Sequence, residues 1–97
     1  MNHKITILEE KIKEAMKEIG YEVESVLLTP SNRPDLGDYQ YNGAMSLAKT
    51  YHDNPMNIGA KVIEKIKDFK EIKDISVANP GFINISLSDE FLIDFAN

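Results

Sequence analysis

Two residues near the end of the chain have the types and spacing needed to bind an unpaired nucleic-acid base. Phe82 and Asn84 are separated by one residue, so in a β-strand their side chains lie on the same face. An aromatic ring gives a base a surface for stacking, and a carboxamide gives a donor and an acceptor for the base edge. The surrounding stretch, residues 79–88, carries no charge. The pattern therefore indicates contact with a base rather than with phosphate.

Phe82 also has a purely structural interpretation. A phenyl ring on the outer face of a sheet can pack beneath a loop or against another domain. The local pattern by itself favours this structural interpretation, so the elements that hold the residue have to be considered next.

The length of the turn between the two strands decides which residues pair, and so which face carries Phe82. Two strand-like runs, residues 72–78 and 82–87, flank a three-residue turn of Asn, Pro and Gly. This turn length pairs Val77 with Ile83, whereas a two-residue turn would pair Val77 with Asn84 and mix apolar and polar groups on one face. A one-residue slip moves every side chain to the opposite face, so we predict the three-residue turn. The core face then carries Ile75, Val77, Ile83, Ile85 and Leu87. The outer face carries Ser76, Ala78, Phe82, Asn84 and Ser86.

Three amphipathic patterns predict helices that cover the core face. Residues 3–19 show apolar side chains at helical spacing, and Gly20 suits the end of that helix. A second helix begins with Asn42 as its N-cap. A third has Asn54 as its N-cap and Pro55 at its first position. Its buried stripe consists of Ile58, Val62, Ile63, Ile66 and Phe69.

The remaining segments complete an α+β pattern. Residues 21–28 are rich in strand formers, residues 29–38 contain the Pro and Gly of a loop, and residues 38–41 form a short strand. Ser88 caps a terminal helix. The order of elements predicts a two-layer sandwich with helices packed on one face of a mostly antiparallel sheet.

Composition narrows the possible functions of the chain. Its 97 residues suit one small domain, and 16 acidic against 11 basic residues give a net charge of −5. A general electrostatic binder of nucleic acid is usually basic, so this class is disfavoured. The absence of cysteine excludes a disulfide framework and a thiolate metal site, and the two histidines make any metal site unexpected. No apolar run is long enough to span a membrane and the charged N-terminus is unlike a signal peptide, so we expect a cytoplasmic protein.

Few other residues suggest catalysis. Asp35 and Asp38 would allow a paired-carboxylate catalyst, although aspartates that cap a loop are the commoner interpretation. No phosphate-binding loop, dinucleotide fingerprint or nucleophile elbow is present. We therefore expect no catalytic residues in the chain.

Two blocks of sequence resemble the N-terminal additional domain of arginyl-tRNA synthetase. Residues 36–49 contain GDYQ followed by x-N-x-AM, and residues 79–87 contain PGFIN. The resemblance covers essentially all 97 residues. It implies helices packed on a four-stranded antiparallel sheet. It also implies a domain that precedes the catalytic domain and holds the D-loop of the tRNA for arginine.

The resemblance further implies which residues receive a D-loop base. They are Asn79 before the turn, the ring of Phe82 and the amide of Asn84, which shifts the interpretation of Phe82 towards function. Gln40 and Asn42 match the first block and either contact tRNA or shape the turn from sheet to helix. The implied partners are the tRNA and the catalytic domain of the same chain, with no membrane and no metal. This domain would hold no cofactor, whereas the parent enzyme uses ATP.

We therefore interpret residues 1–97 as a single N-terminal tRNA-recognition domain, expected to be a fragment of a larger synthetase. The parent enzyme would attach arginine to its tRNA with ATP. The catalytic H-x-G-H signature is absent from the chain, so the piece alone is expected to be non-catalytic. The alternative is a free-standing acidic protein-interaction module that uses the same sheet face.

Overall fold

The computed structural model describes residues 3–89, which contain three helices and one four-stranded sheet. The elements are α1 (His3–Glu18), β1 (Thr29–Pro30), β2 (Tyr39–Tyr41), α2 (Ala44–Tyr51), α3 (Pro55–Ile66), β3 (Ile72–Ala78) and β4 (Phe82–Leu87). The sheet is antiparallel throughout, with the order β1-β2-β4-β3. The predicted α+β fold is confirmed. The terminal helix predicted after Ser88 falls on residues beyond Asp89, which the structure does not describe.

The register of β3 and β4 is the predicted one. Val77 lies opposite Ile83, and Ile75 lies opposite Ile85. Alternate side chains of β4 are therefore buried on the helix side of the sheet, where Ile83, Ile85 and Leu87 each expose 1% of their surface or less. The odd-length turn thus places the apolar side chains of both strands on one face.

The turn between β3 and β4 consists of Asn79, Pro80 and Gly81. The Asn79–Pro80 peptide bond is cis, and the Gly81 amide donates to the carbonyl of Ala78 at 2.8 Å. Gly81 has a φ of +145°, and a Cβ there would lie 2.8 Å from the Cβ of Pro55. Both the backbone conformation and the contact with α3 therefore favour glycine at this position.

The core lies between the sheet and the helices. The α3 stripe predicted from the sequence is buried at Ile58, Val62 and Ile66, while Ile63 and Phe69 pack at its margin. Asn54 caps α3 as predicted, because its side-chain oxygen accepts from the Met56 amide at 2.7 Å. The N-cap of α2 is Gly43 rather than the predicted Asn42, and no side chain caps that helix.

The predicted strand at residues 21–28 is wrong. Its buried apolar side chains belong to the core, which explains the strand-like pattern; they are Tyr21, Val26 and Leu28. The backbone of this segment bonds to side chains instead of a neighbouring strand, as where the Leu28 amide donates to the Glu9 carboxylate at 2.8 Å. Pairing with β2 begins only at Thr29–Pro30, which the sequence had placed in a loop.

Candidate nucleic-acid interface

The outward face of β4 carries Phe82, Asn84 and Ser86, as the register requires. Phe82 lies beside the turn, opposite Ala78. Its side chain is half-buried and is not a member of the hydrophobic core. The ring is therefore positioned by the strand without being needed to fill the interior.

Asn84 is fully buried, with 0% of its surface exposed. The sequence placed this side chain outward together with Phe82, and the face is correct, but the expected accessibility is not found. The loop of residues 31–38 folds across the outward face, and the Ser31 hydroxyl donates to the side-chain oxygen of Asn84 at 2.7 Å. The Gln40 amide nitrogen donates to the same oxygen at 3.1 Å. Asn84 is thus held by groups from two other segments of the chain.

Gln40 is the centre of this network. It lies opposite Asn84 in the β2–β4 ladder and exposes 3% of its surface. Its amide nitrogen also donates to the side-chain oxygen of Asn32 at 2.9 Å. We call Ser31, Asn32, Gln40 and Asn84 the amide cluster. The bond from Gln40 to Asn32 fastens the loop to the sheet, whereas the bond from Gln40 to Asn84 joins β2 to β4.

The carbonyl of Phe82 fixes the orientation of the Asn84 amide. The side-chain nitrogen of Asn84 donates to this carbonyl oxygen at 3.4 Å. A backbone carbonyl only accepts hydrogen bonds, so the nitrogen rather than the oxygen of Asn84 must face it. The amide cluster therefore ends at the backbone of the residue that carries the stacking ring.

Two amide side chains near Phe82 remain exposed. Asn79 is exposed in the turn that leads into β4. Asn42 is also exposed, and it follows β2, whose Tyr41 pairs with Ile83. Continuing that register by one residue places Asn42 opposite Phe82. The accessible part of the predicted site thus contains Asn79, Phe82 and Asn42, whereas Gln40 and Asn84 lie beneath the loop.

The loop over the outward face is held close to β4 at Gly37 and Asp38. A Cβ on Gly37 would lie 2.7 Å from the backbone nitrogen of Ile85, so only glycine allows this approach. The Asp38 amide donates to the Ile85 carbonyl at 2.8 Å, and its carboxylate accepts from the Leu87 amide at 2.9 Å. Asp38 therefore continues the strand pairing, which is a structural role and not that of a catalytic carboxylate.

Arg33 and Asp35 form an exposed ion pair on the same loop. Two guanidinium nitrogens of Arg33 donate to the two carboxylate oxygens of Asp35, at 3.1 and 2.8 Å. The hydrogen bond from Arg33 lowers the pKa of Asp35, and the same bond raises the pKa of Arg33. Sequence reasoning did not select Arg33, although it is the only basic residue between residues 21 and 48.

Within residues 3–89 no group of three or more His, Asp or Glu side chains is arranged to hold a metal ion. No helix in the same range combines the length and hydropathy needed to cross a membrane.

The arrangement of sheet, turn and helices matches a known family. Residues 6–87 fit the family model described as the arginyl tRNA synthetase N terminal domain. The chain belongs to this family. Arginine–tRNA ligase from Alteromonas mediterranea is 41% identical over 86 residues, which are 89% of this chain and 15% of that protein. Arginine–tRNA ligase from Histophilus somni strain 2336 is 42% identical over 91 residues, or 92% of this chain and 16% of that protein.

Solved structures of arginyl-tRNA synthetases contain the same N-terminal domain fold. The Thermus thermophilus enzyme superposes with a TM-score of 0.78 at 26% identity, covering 93% of this chain and 15% of that one. The Plasmodium falciparum enzyme gives 0.80 at 21% identity, covering 95% of this chain and 17% of that one, and at this identity the likeness concerns the fold alone. The chain thus spans about 15% of the length of the ligases that it matches.

Proposed function

We propose that this arginyl-tRNA synthetase N-terminal domain binds the D-loop of the tRNA for arginine, as part of a cytoplasmic ligase that joins arginine to the tRNA with ATP. The observation that carries the proposal is the ring of Phe82. It lies outside the hydrophobic core, it is only partly buried, and the exposed amide of Asn79 stands at the turn beside it. An aromatic ring in such a position is suited to stacking with an unpaired base.

Charge supports base contact over phosphate contact as the main task of this surface. Residues 79–88 carry no charge, and the chain as a whole carries −5. Neutralising many phosphates requires clustered lysine and arginine side chains. The catalytic domain of the same ligase would supply the ATP site and most phosphate contacts, while this domain positions the corner of the tRNA.

The site residues then have two different tasks. Phe82 and Asn79 contact the base directly, and Asn42, which is exposed at the neighbouring register position, extends the accessible surface. Asn84 and Gln40 hold this surface from beneath, because the Asn84 amide is bonded both to the loop and to the Phe82 carbonyl. Loss of Asn84 should therefore blur discrimination between tRNAs that differ at the contacted D-loop base.

The proposal is tested by Phe82→Ala in the ligase that contains this domain. Loss of a stacking contact costs on the order of 1–3 kcal/mol per base, which corresponds to a rise of about 5- to 150-fold in the apparent KM for tRNA. The KM values for ATP and arginine should not change. Steady-state aminoacylation kinetics measure all three values.

Ile7→Ala provides the matched control, because Ile7 is an exposed apolar residue of α1 with 56% of its surface accessible. This variant should leave the KM for tRNA unchanged. The proposal fails if Phe82→Ala also leaves it unchanged. It fails equally if Phe82→Ala unfolds the domain while the folded fraction charges tRNA normally.

A further inference from the structure

One hydroxyl group links the backbone of Arg33 to the amide cluster beneath Phe82. The Ser31 hydroxyl accepts from the Arg33 amide at 3.0 Å and lies 3.2 Å from the Arg33 carbonyl oxygen. The same hydroxyl bonds to Asn84 at 2.7 Å, and Asn84 bonds to the backbone of Phe82. The backbone of Arg33 is thus connected to the stacking residue through only two side chains.

Arg33 is also the only lysine or arginine in β1, the loop, β2 and the turn and strand that carry Phe82. Residues 29–42 and 79–88 together contain no other lysine or arginine. An unpaired base is attached to a chain of phosphates, so a base held at Phe82 brings phosphates to the rim of the site. The guanidinium group binds phosphate in a planar, two-pronged geometry that lysine does not reproduce.

Asp35 holds the guanidinium group of Arg33 through two hydrogen bonds. Both members of the pair are well exposed, with 55% of the Arg33 and 61% of the Asp35 side chain accessible. Exposed ion pairs contribute little to stability, so another anion can replace the carboxylate. The Asp35 carboxylate, whose pKa is lowered by the hydrogen bond from Arg33, competes with an incoming phosphate at neutral pH.

We propose that Arg33 contacts a backbone phosphate of the RNA whose base stacks on Phe82, and that Asp35 weakens this contact by holding the guanidinium group. The inference rests on the proposed function, because it assumes that RNA reaches this face. It adds a phosphate-binding residue, and a carboxylate that opposes it, to a site otherwise made of uncharged groups. The two residues should therefore affect tRNA binding in opposite directions.

The test compares Arg33→Gln with Asp35→Asn in the ligase that contains this domain. Fluorescence anisotropy with labelled tRNA for arginine gives the Kd at a series of NaCl concentrations. Arg33→Gln should raise the Kd by about 3- to 10-fold and reduce the salt slope by about 0.7–0.9, which is the value for one lost phosphate contact. Asp35→Asn should lower the Kd by about 2- to 5-fold, because the guanidinium group no longer has an internal partner.

The matched control is a second exposed ion pair, in which Glu64 lies in the last turn of α3 and Lys67 directly follows the helix. Their side chains are 73% and 45% accessible. Lys67→Gln and Glu64→Gln should both leave the Kd unchanged. The inference is overturned if Arg33→Gln changes neither the Kd nor the salt slope. It is also overturned if Asp35→Asn weakens binding as Arg33→Gln does, because the pair would then serve only to shape the loop.

Phe82→Ala, measured in the same assay, separates this inference from the proposed function. If Phe82→Ala weakens binding and Arg33→Gln does not, the base site stands and the phosphate contact is wrong. If Arg33→Gln weakens binding and Phe82→Ala does not, RNA contacts the loop but the proposed base stacking is wrong. We expect both variants to weaken binding, and only Arg33→Gln to change the salt slope.

Discussion

The two faces of β4 are built from alternate residues of one strand, yet they are stabilised in different ways. On the helix side, Ile83, Ile85 and Leu87 are buried among apolar side chains. On the outward side, Asn84 is equally buried but is held by hydrogen bonds from two other segments. The first face is stabilised by close packing of apolar side chains, and the second by hydrogen bonds between buried polar groups.

This difference explains where a binding site can exist on the sheet. The core face of β4 offers no accessible site, because its apolar side chains are buried beneath the helices, and the middle of the outward face is closed by the loop of residues 31–38. Phe82 lies at the edge of the amide cluster, because the last hydrogen bond of the cluster runs from the Asn84 side chain to the Phe82 carbonyl. A ring in this position is held firmly through its backbone while its side chain stays partly accessible.

The largest effect on stability is expected on the core face. Ile85 has no exposed surface, so Ile85→Ala should leave a cavity and lower the free energy of unfolding by roughly 2–5 kcal/mol. Urea denaturation followed by circular dichroism measures this loss. A loss below about 1 kcal/mol would mean that the core face can collapse around the missing side chain, and the contrast between the faces would then disappear.

A smaller loss is expected in the amide cluster. Asn84→Ala removes the acceptor for Ser31 and Gln40, and leaving buried polar groups unpaired costs about 1–3 kcal/mol. Ser86→Ala, two residues further along the same face, should change stability by less than about 0.5 kcal/mol. Equal losses at residues 84 and 86 would show that the hydrogen bonds of the cluster do not hold the loop.

A buried carboxylate just before β3 should make the stability of the domain depend on pH. Glu71 is buried and accepts two hydrogen bonds from the Lys11 ammonium group, at 2.9 and 3.0 Å. Burial tends to raise the pKa of Glu71, but the hydrogen bonds from Lys11 and from its own backbone lower it overall. A lowered pKa contributes stability above the unfolded value of about 4.3, and this contribution is lost as the pH falls through the folded pKa.

The comparison that tests this pH dependence is the wild-type chain against Glu71→Gln, with urea denaturation at pH values from 7 down to 3. The wild-type chain should lose more stability than the variant below about pH 4.3. Parallel curves for the two proteins would mean that Glu71 is equally easy to protonate in the folded and unfolded states.

Only a small effect on stability is expected at Phe82, although its substitution should have the largest effect on tRNA binding. The ring is not a member of the core, so Phe82→Ala should change the free energy of unfolding by less than about 1 kcal/mol. A loss as large as that for Ile85→Ala would mean that the ring is needed for packing. The two faces of β4 would then not differ in the way proposed above.

The pattern of residues predicted the three helices, the β3–β4 pair and the N-cap of α3, but it failed at the N-cap of α2 and at residues 21–28. Alternation of apolar and polar residues reports which side chains are buried, and it does not report what the backbone bonds to. In this segment the side chains enter the core as a strand's would, whereas the Leu28 amide bonds to a carboxylate of α1. The local pattern therefore predicted the burial of Val26 and Leu28, but not the exposure of Leu27, which leaves 66% of its surface accessible, and it gave the wrong backbone pairing.

The sequence by itself determined which face each residue of β4 occupies. Side chains alternate along a strand, and a register shifted by one residue would have moved polar groups into the core. Only the tertiary structure decided that Asn84 is covered while Phe82 stays accessible. The two donors that hold Asn84 are 53 and 44 residues away along the chain. Contacts at such separations depend on how the loop folds back over the sheet, and no local spacing of residues encodes them.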